Sequence, residues 1–178
     1  PLDAYVIADF ARCGRITSSP WRGSQFLALQ RLTRHRLHLV ECITREKTYM
    51  VSNIYLKFSQ LAVLDKDDKP FSNTYGATSA AVLTEFLSLD DITYSSIDDL
   101  VDFVKEKGKN RFINPDETAK LLQKAARDSY RLDKVLYEPL NVSIASSFNL
   151  IKAFETEVKT IDKAIEKNIK GINTTEYQ

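Results

Sequence analysis

Between Ser24 and Leu64 the chain contains neither Gly nor Pro. Within that stretch Leu29, Leu32, Leu39, Ile43, Met50, Ile54 and Leu61 recur at steps of 3, 7, 4, 7, 4 and 7. This is a heptad seam, interrupted by polar residues at Arg36, at Glu46 or Lys47, and at Lys57. A helix of that length would be on the order of 60 Å long at 1.5 Å per residue. A second seam, Leu140, Ile144, Ser147, Ile151, Phe154, Val158, Ile161, Ile165 and Asn168, steps by 4 and 3 without interruption. Its helix is predicted from Leu136 to Ile169, with Pro139 tolerated in the first turn only and Gly171 as the stop.

Shorter helical signals lie outside these two stretches. Residues 3–13 read as a short helix with Asp3 as N-cap and Gly14 as stop, followed by a loop over 15–22. The clearest break is Asp65 to Gly76. Beyond it come a helix from Ala77 to Ser88, a loop holding Asp90 and Asp91, and a helix ended by Gly108. Ser96 and Asp99 give that last helix a capping box. Another runs to Ser129 behind Asn114 and Pro115, with Asp116 and Glu117 in its first turn. Five Gly and five Pro in 178 residues agree with an all-α chain. The expected fold is two long helices forming an antiparallel coiled-coil hairpin with a small cap of short helices. Each seam could equally face a second copy. The expected division is a terminal helix over 1–14, a long basic coiled-coil helix over 23–64, a helical cap over 65–135, and a second coiled-coil helix over 136–170.

The net charge of +1 hides an asymmetry. Pro1 to Lys57 carries nine Lys and Arg against four Asp and Glu, with both histidines; the rest carries sixteen against twenty. Arg31, Arg34, His35, Arg36 and His38 fall within eight residues, and Arg31, Arg34, His38 and Arg45 follow one helical flank. Such a row suits the spacing of backbone phosphates. The bland reading is a solvated coiled-coil face whose cations pair with acids of the facing helix.

Other candidate chemistry is weaker. His35 and His38 have no further metal ligand nearby. Asp65, Asp67 and Asp68 lack the Gly and Glu of a calcium loop. Lys105, Lys107, Lys109 and Arg111 around Gly108 read first as ordinary cations at a helix C-terminus. The connection from Gly108 to Asn114 is too long for a helix-turn-helix. Cys13 and Cys42 form no disulfide framework, which favours a reducing cytosol, and no apolar run is long enough for a membrane span. No nucleophile-base set or Gly-rich phosphate loop is present. With Pro1 in place of an initiator Met, the chain reads as an excised piece that cannot assemble an active site alone.

Two segments carry a family resemblance. Asp3-Ala-Tyr-Val-Ile-Ala-Asp-Phe-Ala-Arg-Cys-Gly-Arg15 is similar to the helix that closes the RuvC-like domain of DEDD insertion-sequence transposases of the IS110 family. Leu29-Gln-Arg-Leu-Thr-Arg-His-Arg-Leu-His-Leu-Val40, followed by Arg45-Glu-Lys47, resembles that family's Leu-Thr-Arg helix. The match covers about the first sixty residues and is looser beyond. It implies an internal fragment of a prokaryotic, cytoplasmic recombinase that cleaves and joins DNA with four metal-holding acids. Asp3 matches the last of these, as catalytic residue and Mg2+ ligand in the intact enzyme only. No cofactor is expected in the fragment. The resemblance further implies a homodimeric helical scaffold that meets DNA and a guide RNA through Arg31, Arg34, His35, Arg36, His38, Arg45 and Lys47. The rival expectation is a coiled-coil interaction module with no nucleic-acid role.

Overall fold

The structure is a computed structural model and describes residues 2–14, 23–65 and 68–171. Among the described residues there are eight helices and no strand. They are α1 (Leu2–Arg12), α2 (Gly23–Lys57), α3 (Ser59–Val63), α4 (Ala77–Glu85), α5 (Leu89–Thr93), α6 (Ile97–Gly108), α7 (Pro115–Asp128) and α8 (Lys134–Lys170). No helix of the described residues is long and apolar enough to cross a membrane. The loop expected over 15–22 lies outside the described residues, as do 66 and 67.

The chain divides into two compact units, residues 38–159 and residues 1–37 with 160–178. The larger unit holds the core. Met50, Ile54, Phe58 and Leu61 from α2 and its extension pack with Val82, Leu83, Leu89, Ile92, Leu100, Leu122, Ile144 and Ile151. Full burial of each such side chain is worth roughly 1.5–3 kcal/mol. In this unit α2 and α8 also meet through polar pairs. Lys47 Nζ lies 3.9 Å from Glu155 Oε1, and Asn53 Nδ2 donates to Ser143 Oγ at 3.2 Å. Ser147 Oγ donates to Glu46 Oε1 at 2.6 Å.

The smaller unit contains α1, the first part of α2 and the last part of α8. None of its described residues is fully buried. Leu29, Leu32, Ile161 and Ile165 are half-buried along the predicted seams. Every described residue of α1 whose side chain is placed is exposed, including Tyr5, Val6, Ile7 and Phe10.

Several boundaries differ from expectation. The first long helix stops at Lys57, not Leu64, because Phe58 leaves the helical region (φ −145°, ψ 75°) and buries its ring. The break needs no Gly or Pro, since groups just past the end of α7 satisfy it. Gln60 N donates to Ser129 Oγ, and Ser59 Oγ accepts from Tyr130 N. Lys57, at the break, is 2 % exposed. Its ammonium donates to the carbonyls of Leu83 and Phe86 at 2.7 Å each, and to Asn141 Oδ1. These carbonyls sit at the C-terminal end of α4, where a cation is favoured. Burial still pulls the Lys57 pKa down to about 8, against the favourable charge of Asp91.

The Asp90–Asp91 segment is not a loop but α5, started by a complete capping box. Ser88 Oγ accepts from Asp91 N, and Asp91 Oδ2 accepts from Ser88 N. At Ser96 the box is half-formed. Ser96 Oγ accepts from Asp99 N, but the Asp99 carboxylate takes the Ser96 hydroxyl instead of its backbone amide. Asn114 makes no side-chain cap; its amide donates to Glu117 Oε2. Asp3 lies in the first turn of α1 and is not its N-cap. Pro139 falls beyond the first turn because α8 starts at Lys134, with Asp133 Oδ1 accepting from Val135 N. The carbonyl this Pro would leave without an i+4 donor belongs to Val135, an exposed residue that water can reach.

Candidate nucleic-acid interface

The heptad of α2 sorts its polar residues into two groups. Arg36, Glu46, Lys47 and Lys57 fall on the covered side, and each has a partner. In the smaller unit Arg36 Nε donates to Asp162 Oδ1 at 2.5 Å, which raises the Arg36 pKa through the hydrogen bond first and the charge second. In the larger unit Lys47 stands near Glu155 and 5.1 Å from the centre of the Tyr75 ring. Tyr75 in turn donates its hydroxyl to the Lys47 carbonyl at 3.0 Å. The seven predicted nucleic-acid residues are therefore not equivalent: Arg36 and Lys47 each stand at ion-pair distance from a carboxylate of α8, Asp162 and Glu155.

Arg31, Arg34, His35, His38 and Arg45 are exposed. Among the described residues Arg31, Arg34 and Arg45 have no carboxylate at ion-pair distance. The contrast follows from the 3.6-residue period. Positions 29, 32, 36, 39 and 43 point one way, and 31, 34 and 45 fall outside that arc. His38 Nε2 lies 3.7 Å from Cys42 Sγ, one turn on.

Asp3 is exposed in the first turn of α1, and Asp9 pairs with Arg12 at 2.7 Å. Among the described residues no group of three or more His, Cys, Asp or Glu could hold a metal ion. Asp3 alone offers one carboxylate, whereas Mg2+ takes six oxygen ligands in a near-octahedral shell. The described residues by themselves do not make a complete metal centre.

Two features escaped the sequence. One is a groove in the larger unit, lined by Tyr49, Pro139, Val142 and Leu150 together with Glu46 and Glu138. Its rims read as solvent positions because they lie beside the seam of each helix and not in it. The other is Ile113, 96 % exposed at the turn between α6 and α7.

Residues 1–57 match the family model of IS110-type DEDD proteins, described as Transposase. No curated protein and no solved structure gives a significant match.

Proposed function

We propose, from the match of residues 1–57 to the IS110-type transposase family model, that the chain is a helical scaffold from a DNA transposase. It holds two copies together and contacts nucleic acid. The scaffold is an antiparallel hairpin of α2 and α8 carrying α3 to α7 as a cap. The observation that carries nucleic-acid binding is the exposed, unneutralised set Arg31, Arg34 and Arg45 beside two cations of the same helix that are neutralised. His35 and His38 share the exposed surface of α2. The ligands are DNA and a structured guide RNA, and Asp3 is one of the carboxylates that hold Mg2+ in the intact enzyme. Hard oxygen donors suit that ion, which would activate the attacking oxygen and steady the leaving one.

Fluorescence anisotropy with labelled duplex DNA and with RNA tests this. Affinity should fall steeply with salt, and Arg31→Glu with Arg34→Glu should reduce it at least about tenfold. Salt-independent binding, or a double variant that binds like the parent, refutes the reading.

One observation favours a second reading, a protein-interaction module without nucleic acid. The groove rimmed by Tyr49, Val142 and Leu150 exposes apolar side chains of the kind that mark protein contacts. Both readings use that groove for association. They part on the anisotropy result.

A further inference from the structure

The groove of the larger unit is chemically one-sided. Tyr49, Pro139, Val142 and Leu150 give it an exposed apolar lining, and Glu46 and Glu138 add two carboxylates. No Lys, Arg or His lines it. Glu46 accepts from Ser147 Oγ. Among the described residues no cation stands at ion-pair distance from either carboxylate. The volume, about 670 Å³, takes several side chains and not one. Its α8 wall runs from Glu138 to Leu150, about 18 Å at 1.5 Å per residue.

Two carboxylates without a cation disfavour the same groove of a second copy, since a two-fold contact there would bring four carboxylates together. They favour an occupant with cations beside apolar side chains. The chain carries such a surface on the front half of α2. From Gly23 to Val40 this helix has three arginines and no Asp or Glu. Leu27, Arg31, Arg34 and Leu37 follow at steps of 4, 3 and 3, on the side away from the seam of Leu29, Leu32 and Leu39. All four are exposed. Among the described residues Arg31 and Arg34 have no carboxylate at ion-pair distance. Leu27 to Leu37 spans about 15 Å, close to the length of the groove wall. The balance of the whole chain agrees: nine Lys and Arg against four Asp and Glu up to Lys57, and sixteen against twenty beyond it.

We infer that the groove receives the front half of α2 from a second copy. Leu27 and Leu37 sit on its apolar lining, and Arg31 and Arg34 turn to Glu46 and Glu138. This contact rests on the proposed association of two copies and gives that association definite surfaces. The same arginines serve nucleic acid in the proposed function, so the contact belongs to the protein free of nucleic acid.

Sedimentation of the 178-residue chain over a concentration series at low salt tests this by charge exchange. The parent should self-associate. Glu138→Lys, and separately Arg31→Glu with Arg34→Glu, should each weaken self-association at least about tenfold, because like charges then meet. A mixture of these two variants should associate about as tightly as the parent, since each supplies the charge that the other's altered surface needs. Val142→Arg, between Glu138 and Leu150 on the α8 wall, should also weaken self-association. A monomeric parent overturns both this contact and the two-copy reading. A parent whose association survives the charge reversals, or survives Val142→Arg, overturns this contact alone. So does a mixture that fails to recover. The altered side chains are exposed, so circular-dichroism melts should match the parent's. A variant that melts lower is replaced by its neutral form, Glu138→Gln or Arg31→Gln with Arg34→Gln, which should weaken association in the same direction. Nucleic-acid affinity is read separately by anisotropy, so the two roles of Arg31 and Arg34 fail separately.

Discussion

Ser147, 2 % exposed on α8, donates its hydroxyl to the Glu46 carboxylate of α2 at 2.6 Å. A carboxylate thus occupies a seam position that a coiled coil normally gives to an apolar side chain, and a serine of the facing helix makes room for it. Charge-assisted bonds of this kind are stronger than neutral ones, and a buried hydroxyl left alone is costly.

Glu46→Ala should therefore destabilise the fold by about 1–3 kcal/mol. Ser147→Ala alone should cost less, because it removes a small group from the seam. The double variant should recover part of the Glu46→Ala loss. Urea unfolding of the four proteins in a double-mutant cycle gives the coupling. Strictly additive losses would show that the pair does not act as a pair.

Lys57 should make stability depend on alkaline pH. Its pKa is about 8 in the folded chain against 10.5 as the ordinary value. Between these values the unfolded chain binds more protons, so stability rises as pH climbs from about 8 to 10.5. The full penalty of keeping the ammonium buried is present below about 8. The amplitude is on the order of 3 kcal/mol. Lys57→Met should flatten this component, leaving the carbonyls of Leu83 and Phe86 without their donor. Parallel stability curves for parent and variant between pH 7 and about 10.5 would count against a perturbed Lys57.

Arg36 and Asp162 are each nearly half exposed, at 44 % and 46 %. Water and salt screen such a pair, so it adds little to stability. Arg36→Ala should shift the thermal midpoint little and lower nucleic-acid affinity less than Arg34→Ala does. A loss on Arg36→Ala equal to that on Arg34→Ala would place Arg36 among the nucleic-acid contacts despite its partner.

Gly108→Ala should destabilise the larger unit by about 1–3 kcal/mol, since the new Cβ meets the Phe112 ring at 2.5 Å. Adding Phe112→Leu should relieve part of that loss. Thermal melts of both variants read the effect, and a neutral Gly108→Ala would mean that the ring swings clear.

The two seams are legible in the sequence because a heptad survives any detail of packing. Leu39, Met50, Ile54, Ile144 and Ile151 are buried where the pattern puts them. The polar interruptions at Arg36, Glu46 and Lys57 are equally visible, but their partners are not. Asp162, Ser147 and the carbonyls of Leu83 and Phe86 lie 126, 101, 26 and 29 residues away in sequence. The stop at Phe58 is hidden because it is imposed by Ser129 and Tyr130 from outside. The signal for α5 is present, since Ser88 and Asp91 have the spacing of a capping box, but two adjacent acids suit a loop as well. In the candidate interface the exposed cluster is readable, and the neutralisation of Arg36 and Lys47 depends on which acids face them.

The seam of α2 changes character along its length. Met50 and Ile54 are closed off from water, whereas Leu29 and Leu32 stay half covered. A single continuous helix therefore spans two regimes of amide hydrogen exchange. Amides around Met50 and Ile54 should exchange only when the core opens as a whole, while those around Leu29 to Leu32 should exchange through local fraying of turns. On the proposed function, a nucleic acid that engages Arg31 and Arg34 should slow deuterium uptake in this segment while leaving uptake around Met50 and Ile54 unchanged.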